Sequence, residues 1–507
     1  MNKLFTLLLV ALATNSIAQT TVKTEIGKPY PVIESRELVY VTDKTGVLIV
    51  KQSGKKLILQ KIGPDLVLQK VMQYDNFPND FQLERALVLK DKSYILYTAQ
   101  TKGIRSLYAA QIDLTKGELL NGGKEIVSPS DKIDDDIINE KPFQFLFSRD
   151  SSLFAVCYRL KTTTLPSKTF EVNGVWVFGI GLTDRGHAEI TLPYNERKAK
   201  VRGRAIDENG NIHFALRVIN DDSGEEKKFG EKTPNYSIQL VSYSSASEPP
   251  KITDLNIDRK FLNNVTLDAI NGRLIFFGLY NTDRPSDPDP EGMLVVNLAA
   301  QAAGVAAFHS FPLSAINEGE KSSRQKSNQK LIANGKPLPF DGLEIIRTLP
   351  LKDGGLLLFG NQHKIISHYG GPNMPSSTTH IYVNIIVARM LPNGEIGWMR
   401  KLLKGSESTS FVHNQKDGFH RILFVEDNNL IEYKLNDLTG AGERKEIIKF
   451  KPLLKRKDAL FTSRVGFPML LPDQNAVILE AHLSGDAGTF GESKPYKEDV
   501  MVKVLLD

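Results

Sequence analysis

Apolar and polar positions alternate with a period of two over short runs, and successive runs are joined by tight polar turns, the local pattern of antiparallel hairpins. The first turns of successive units fall at Asp91, Ser151, Gly210, Gly272 and Gly354, giving steps of 60, 59, 62 and 82 residues. LVLKDKSYILYTAQ with SLYAAQIDLTKGELL begins this series, followed by FSRDSSLFAVCYRL with VWVFGIGLTDRGHAEI and by three further pairs. Weaker units stand at the start, before the end and at the C-terminus, making eight. Three or four short strands cannot bury both faces of their own sheet, and radial stacking of such units is the usual solution. The pattern therefore predicts an all-β propeller of seven or eight blades, antiparallel sheets around a central channel. Sharing one blade between the first and last partial units would leave seven.

One stretch departs from this pattern. SAINEGEKSSRQKSNQKLIANGKP at 314–337 is polar and lysine-rich with a Gly-Lys-Pro stop, and reads as a surface insertion with one or two helical turns. Longer connections are expected at 219–236, 280–292, 361–380 and 484–498, crowding the ends of the channel.

The N-terminus changes the picture of where the chain works. Lys3, the apolar run Leu4 to Ala13, and small residues Ser16 and Ala18 before Gln19 form the pattern of a cleaved export signal. Residues 1–18 are thus read as a leader and 19–507 as a single propeller domain in the periplasm or outside the cell. The apolar run is too short to span a bilayer, and no other segment approaches the required length, so no transmembrane segment is expected. Cys157, the one cysteine, sits in the alternating LFAVCYRL and reads as a small buried core residue. Without the leader, 63 basic residues face 59 acidic ones, a near-neutral balance. With an export signal this argues against nucleic acid as a partner. The basic run ERKAKVRGR at 196–204 is read as the solvated outer face of a sheet.

Two units resemble known repeats. DGGLLLFG at 353–360, followed by IYVNIIVARMLPNGEIGWMRKL at 381–402, resembles a secreted bacterial repeat in which a glycine-rich strand precedes a strand, an Asn-Gly turn and a tryptophan. FLFSRDSSLFAV at 145–156 resembles the motif of TolB-like and WD40-like propellers, with Arg149 replacing the usual proline. The N-terminus is similar to signals of Bacteroidetes-type secreted proteins. These resemblances imply a propeller; the repeats occur in binding proteins and enzymes alike and carry no catalytic residues of their own.

Enzyme signatures are incomplete. Tyr369-Gly370-Gly371-Pro372 resembles a string of prolyl-oligopeptidase-like enzymes, but the chain has no Gly-x-Ser-x-Gly and no room for a hydrolase domain. Ser148-Arg149-Asp150 begins like a sialidase turn and continues without its glycine and tryptophan. Two tryptophans, Trp176 and Trp398, are too few for a quinoprotein and read as packing between blades. As candidate binding residues, His363, His368, Tyr369 and His380 share one polar connection. As candidate metal ligands, Asp283, Asp287, Asp289 and Glu291 supply hard oxygens suited to calcium. The function expected is a secreted or periplasmic propeller acting as a binding or scaffold protein of unknown ligand, with a glycan or an envelope protein as candidate partners. The alternatives are a propeller hydrolase or lyase acting on polysaccharide, and a structural part of an envelope assembly.

Overall fold

The computed structural model describes residues 22–506, apart from 90–91, 135–140, 162–167, 245–248, 256, 258, 271, 286–288, 299–305, 369–376, 406–409, 455–460, 472–473 and 488–493. The strands form eight antiparallel sheets arranged as the blades of a propeller. Blades 1 to 7 occupy residues 37–74, 82–127, 144–195, 199–255, 261–310, 343–403 and 412–449, each with its strands in sequence order. The first strands of neighbouring blades lie against one another and ring the axis.

Alternation explains why these sheets stack. In the second strand of blade 4, Ile212–Ile219, every residue is buried. Ile212, Phe214, Leu216 and Val218 enter the core shared with blade 3, while Ala215 and Ile219 enter that shared with blade 5. Burial on both faces by period-two side chains recurs around the ring, giving one apolar cluster at each of the eight interfaces. Cys157 is 1% exposed within the cluster of blades 3 and 4, and burial pushes its thiol up to about 11. Trp398 sits between blades 6 and 7, donating from its indole to the Asp437 carbonyl at 2.7 Å.

The expected turns lie between the first and second strands of their blades. Ser151, Gly210, Gly272 and Gly354 have φ of 56°, 87°, 72° and 85°, the left-handed region that tight turns require. Asp91 lies outside the described residues. Blade number resolves to eight because residues 37–74 complete a sheet of their own, while the chain start joins the last sheet. In blade 8 the strand Lys494–Leu505 pairs with Ala476–Ala487 on one side and with Thr24–Ile26 and Tyr30–Pro31 on the other.

This closure carries a buried polar knot. The first strand of blade 8 is broken between Val465 and Met469, and Glu480 on the second strand lies beside the break, where its carbonyl accepts from Gly466 N at 2.7 Å. The Glu480 carboxylate is 1% exposed and accepts from the Tyr30 hydroxyl at 2.7 Å and from the Tyr40 hydroxyl of blade 1. Asp499 pairs with His482 and, at 3.7 Å, with Lys51 of blade 1.

Three features differ from the sequence reading, the simplest being that the connection expected at 484–498 is largely paired strand in blade 8. The basic run at 196–204 supplies the first strand of blade 4, Ala199–Ile206, and not an outer face. A bulge between Val201 and Gly203 breaks the alternation, so Arg204 turns to Gln144 of blade 3, at 2.8 Å. The connection at 361–380 is largely a hairpin, with strands Leu356–His368 and Ser377–Met390 paired from His368 opposite Ser377 inward. Between blades 5 and 6 the chain forms helices Leu313–Asn317 and Ser322–Ala333. Among the described residues no helix is long and apolar enough to cross a membrane.

Candidate functional site

In a four-stranded meander the first and third turns fall at one end of the blade, and the middle connection falls at the other. The tight turns at Ser151, Gly210, Gly272 and Gly354 therefore gather at one end of the axis. Charged side chains from several blades converge there. Arg149 lies in the turn of blade 3, Asp268 near the end of the first strand of blade 5, and Arg347 and Thr348 on the first strand of blade 6. Thr348 donates to the Asp268 carboxylate. Arg149 feels both Asp268 and Arg347, although blades 4 and 5 separate its blade from that of Arg347, so these groups face one another across the channel.

Arginines and carboxylates meet at this mouth. Burial lowers the pKa of Arg149, with Arg347 acting in the same direction and Asp268 against it. Burial alone lowers that of Arg347, for whose guanidinium the described residues provide no ion pair. Burial raises the pKa of Asp268, opposed by Thr348 and Arg149. Farther along the ring Arg85 of blade 2, also held down by burial, stacks over Phe145 and Phe147 at 5.2 and 4.9 Å.

Blade 7 adds a hydrogen-bonded chain. His413 on the first strand, Val412–Lys416, and His420 on the second, Phe419–Glu426, are diagonal neighbours across the hairpin. Their Nε2 and Nδ1 atoms are 3.1 Å apart, and His420 Nε2 is 2.9 Å from the Asp437 carboxylate. Arg389 of blade 6 holds Asp437 at 3.1 Å and also pairs with Asp353. Burial lowers both imidazoles, His413 to about 3 with help from His420 and Arg347, and His420 against the pull of Asp437. With both rings neutral, the chain of donors fixes their tautomers. Asp437 accepts only, so His420 Nε2 carries hydrogen, His420 Nδ1 accepts from His413 Nε2, and His413 Nδ1 is left as a bare acceptor.

Next to the mouth, a cleft of about 830 Å³ opens between blades 3 and 4. Leu153, Val177, Ile190, Ile212 and Tyr243 give it an apolar floor, and Ser152, Arg185, His187, Glu208 and Asn209 a polar rim. His187 lies flat on Trp176, with ring centroids 3.9 Å apart and 8° between planes, on the face of this sheet that Trp176 packs toward blade 2. The cleft meets the mouth at two points: Ser152 shares the turn of Arg149, and Glu208 is within electrostatic range of Asp268. An apolar floor with a few convergent polar and perturbed groups is the usual form of a small-ligand site.

The residues singled out from sequence lie at the opposite end. His363 faces Tyr382 across the hairpin, with rings 5.8 Å apart, and its Nδ1 is 3.2 Å from the Gly342 carbonyl. His380 is opposite Ile365 and His368 opposite Ser377 in backbone register. Tyr369 and Asp287 lie outside the described residues. Asp283 and Glu291 line a second cleft of about 550 Å³ with Lys260 and Lys336. Two of these acids already accept backbone hydrogen bonds: Asp289 from Gly342 N at the entry to blade 6, at 2.8 Å, and Glu291 from Thr282 N within the loop, at 3.0 Å. Among the described residues no group of three or more His, Cys, Asp or Glu is placed to hold a metal ion. The mouth cluster escaped sequence reasoning because its members are far apart in the chain. The one available signal was Arg149 in place of the proline of a propeller turn.

No protein-family model and no curated protein matches the chain. Several solved structures align with it at low identity. A prolyl endopeptidase is 10% identical over 92% of this chain, with a TM-score of 0.38, and the chain spans only 55% of that protein. A protein of unknown function from Dyadobacter fermentans is 10% identical over 83% of this chain and 93% of its own, with a TM-score of 0.32. The NanB sialidase of Streptococcus pneumoniae is 8% identical over 92% of both chains, with a TM-score of 0.33.

Proposed function

We propose that the chain is an exported propeller that binds an acidic glycan at the turn end of its channel. The observation that carries this reading is the convergence of Arg149 and Arg347, from blades three apart, on a mouth where Asp268 is the opposing carboxylate. The half-buried Arg149 and the exposed Arg347 present guanidinium donors that an anion can take up. The adjoining cleft favours a sugar as the body of that ligand, because pyranose rings have an apolar face and a hydroxyl edge, matching the floor and the rim. Calorimetry on residues 19–507 with galacturonate oligomers and with neutral oligomers of equal length tests this. Binding of the acidic series alone, weakened tenfold or more in Arg149→Gln and Arg347→Gln, is expected. Equal binding of both series, or indifference to both substitutions, refutes it.

One observation favours a second reading, hydrolysis of such a glycan. Asp268, with its raised pKa, and Glu208 on the cleft rim form a pair of carboxylates from adjacent blades, the residue types that glycoside hydrolysis uses. Release of reducing ends by the wild type, lost in Asp268→Asn with binding retained, is the result that would establish it.

A further inference from the structure

The Asp437, His420 and His413 chain lies beyond the two arginines and the cleft, and its geometry has a chemical meaning. We infer that His413 and Arg347 together read a hydroxyl beside a carboxylate, the pairing presented by a uronic acid, a specificity that rests on the acidic-glycan reading above. Arg347 and His413 stand on the first strands of adjacent blades, 6 and 7, at the same end of the channel. The guanidinium supplies donors for the carboxylate, and the described residues supply it no competing ion pair. His413 Nδ1 supplies the complementary acceptor. Its other nitrogen is committed to His420 at 3.1 Å, so the ring cannot turn without breaking that bond. His420 is fully buried and tied at 2.9 Å to Asp437, which Arg389 anchors at 3.1 Å.

Every charged group packed around His413 supports its acceptor form. Arg347 from blade 6 disfavours a second proton on the ring, and His420 offers only its lone pair. Asp437 is reached only through His420, and Phe359, 5.2 Å away ring to ring, is apolar. A bare imidazole nitrogen accepts from a sugar hydroxyl, while a carboxylate without a neighbouring hydroxyl leaves it unpaired, at a cost to affinity.

Diethyl pyrocarbonate acylates unprotonated imidazole nitrogens, so labelling at pH 5.5 followed by peptide mass mapping reads His413 directly. An ordinary histidine is about nine-tenths protonated at that pH, and His413 is expected to label roughly tenfold faster. Asp437→Asn, which unlocks the tautomers, is expected to slow labelling at His413 by severalfold. Trigalacturonate is expected to protect His413, while its methyl ester and tricarballylate, which carries carboxylates but no hydroxyl, do not. Arg347→Gln is expected to abolish protection. Slow labelling at pH 5.5 overturns the tautomer argument. Calorimetric binding of trigalacturonate without protection overturns this inference alone, and absence of binding overturns it together with the proposed function.

Discussion

Tyr30→Phe removes one hydroxyl from the seam between blades 8 and 1 and leaves the ring in place. Tyr30 is 2% exposed, so its packing is retained, and the loss falls on Glu480, whose carboxylate keeps the Tyr40 hydroxyl as partner. A hydrogen bond to a charged acceptor is worth about 1.5–3 kcal/mol, and a buried carboxylate left short of a donor puts the cost in that range. Over roughly 480 residues that energy moves a melting temperature by only about 2–3 °C. The local readout is sharper. Gly27 N donates to the Met501 carbonyl at 2.8 Å and Leu505 N to the Lys23 carbonyl at 3.0 Å, so opening of the N-terminal strand exposes both amides. With each tenfold equal to about 1.4 kcal/mol, native-state hydrogen exchange of these amides is expected to accelerate roughly 10- to 150-fold, with no change in the Ile212–Ile219 strand of blade 4. Acceleration below about threefold, or a uniform rise across all blades, would refute the view that this knot holds the ring shut.

His482 has a raised pKa, chiefly through its hydrogen bond to Asp499 and against the effect of burial. Its folded value lies above the ordinary 6.5, so this contribution to stability is complete below about pH 6.5 and fades as pH rises through the folded value. Melts from pH 5.5 to 9 should show the gap between wild type and His482→Gln closing with rising pH; a gap that widens is the contrary result. Gly174→Ala places a Cβ 1.9 Å from the Tyr158 ring, whereas Gly54→Ala meets nothing within 4 Å. Urea unfolding should show the first losing more than 2 kcal/mol and the second under 1.5, set by its φ of 60°. Cys157 should stay unreactive toward a thiol-disulfide reagent at pH 8 in the native protein and react fully in denaturant, and native reaction within minutes would contradict its burial.

The blades were legible because each is a local object. Alternation and a left-handed turn residue, such as Gly210 or Gly354, are set within a dozen positions, so the period survives in one sequence. Closure was not, because Thr24–Ile26 pairs with residues some 480 positions away and three residues carry no period. The bulge after Val201 hid the direction of Arg204, since one extra residue reverses every later side chain. Polar composition made 361–380 look like a loop, though a hairpin projecting past the blade needs no apolar face. The mouth was least legible of all. Asp268, Arg347 and His413 are ordinary strand residues until curvature brings their blades to one axis.

The pairing of Thr24–Ile26 with Lys494–Leu505 also dictates a schedule. During synthesis Thr24–Ile26 must wait for a strand some 480 positions later, remaining an unpaired edge while seven sheets assemble beside it. Fragments lacking the last dozen residues inherit that edge permanently. They are then the species to expect in aggregates and on chaperones, whereas a circular permutant that begins between two blades would carry both partners on one continuous stretch and finish without the delay.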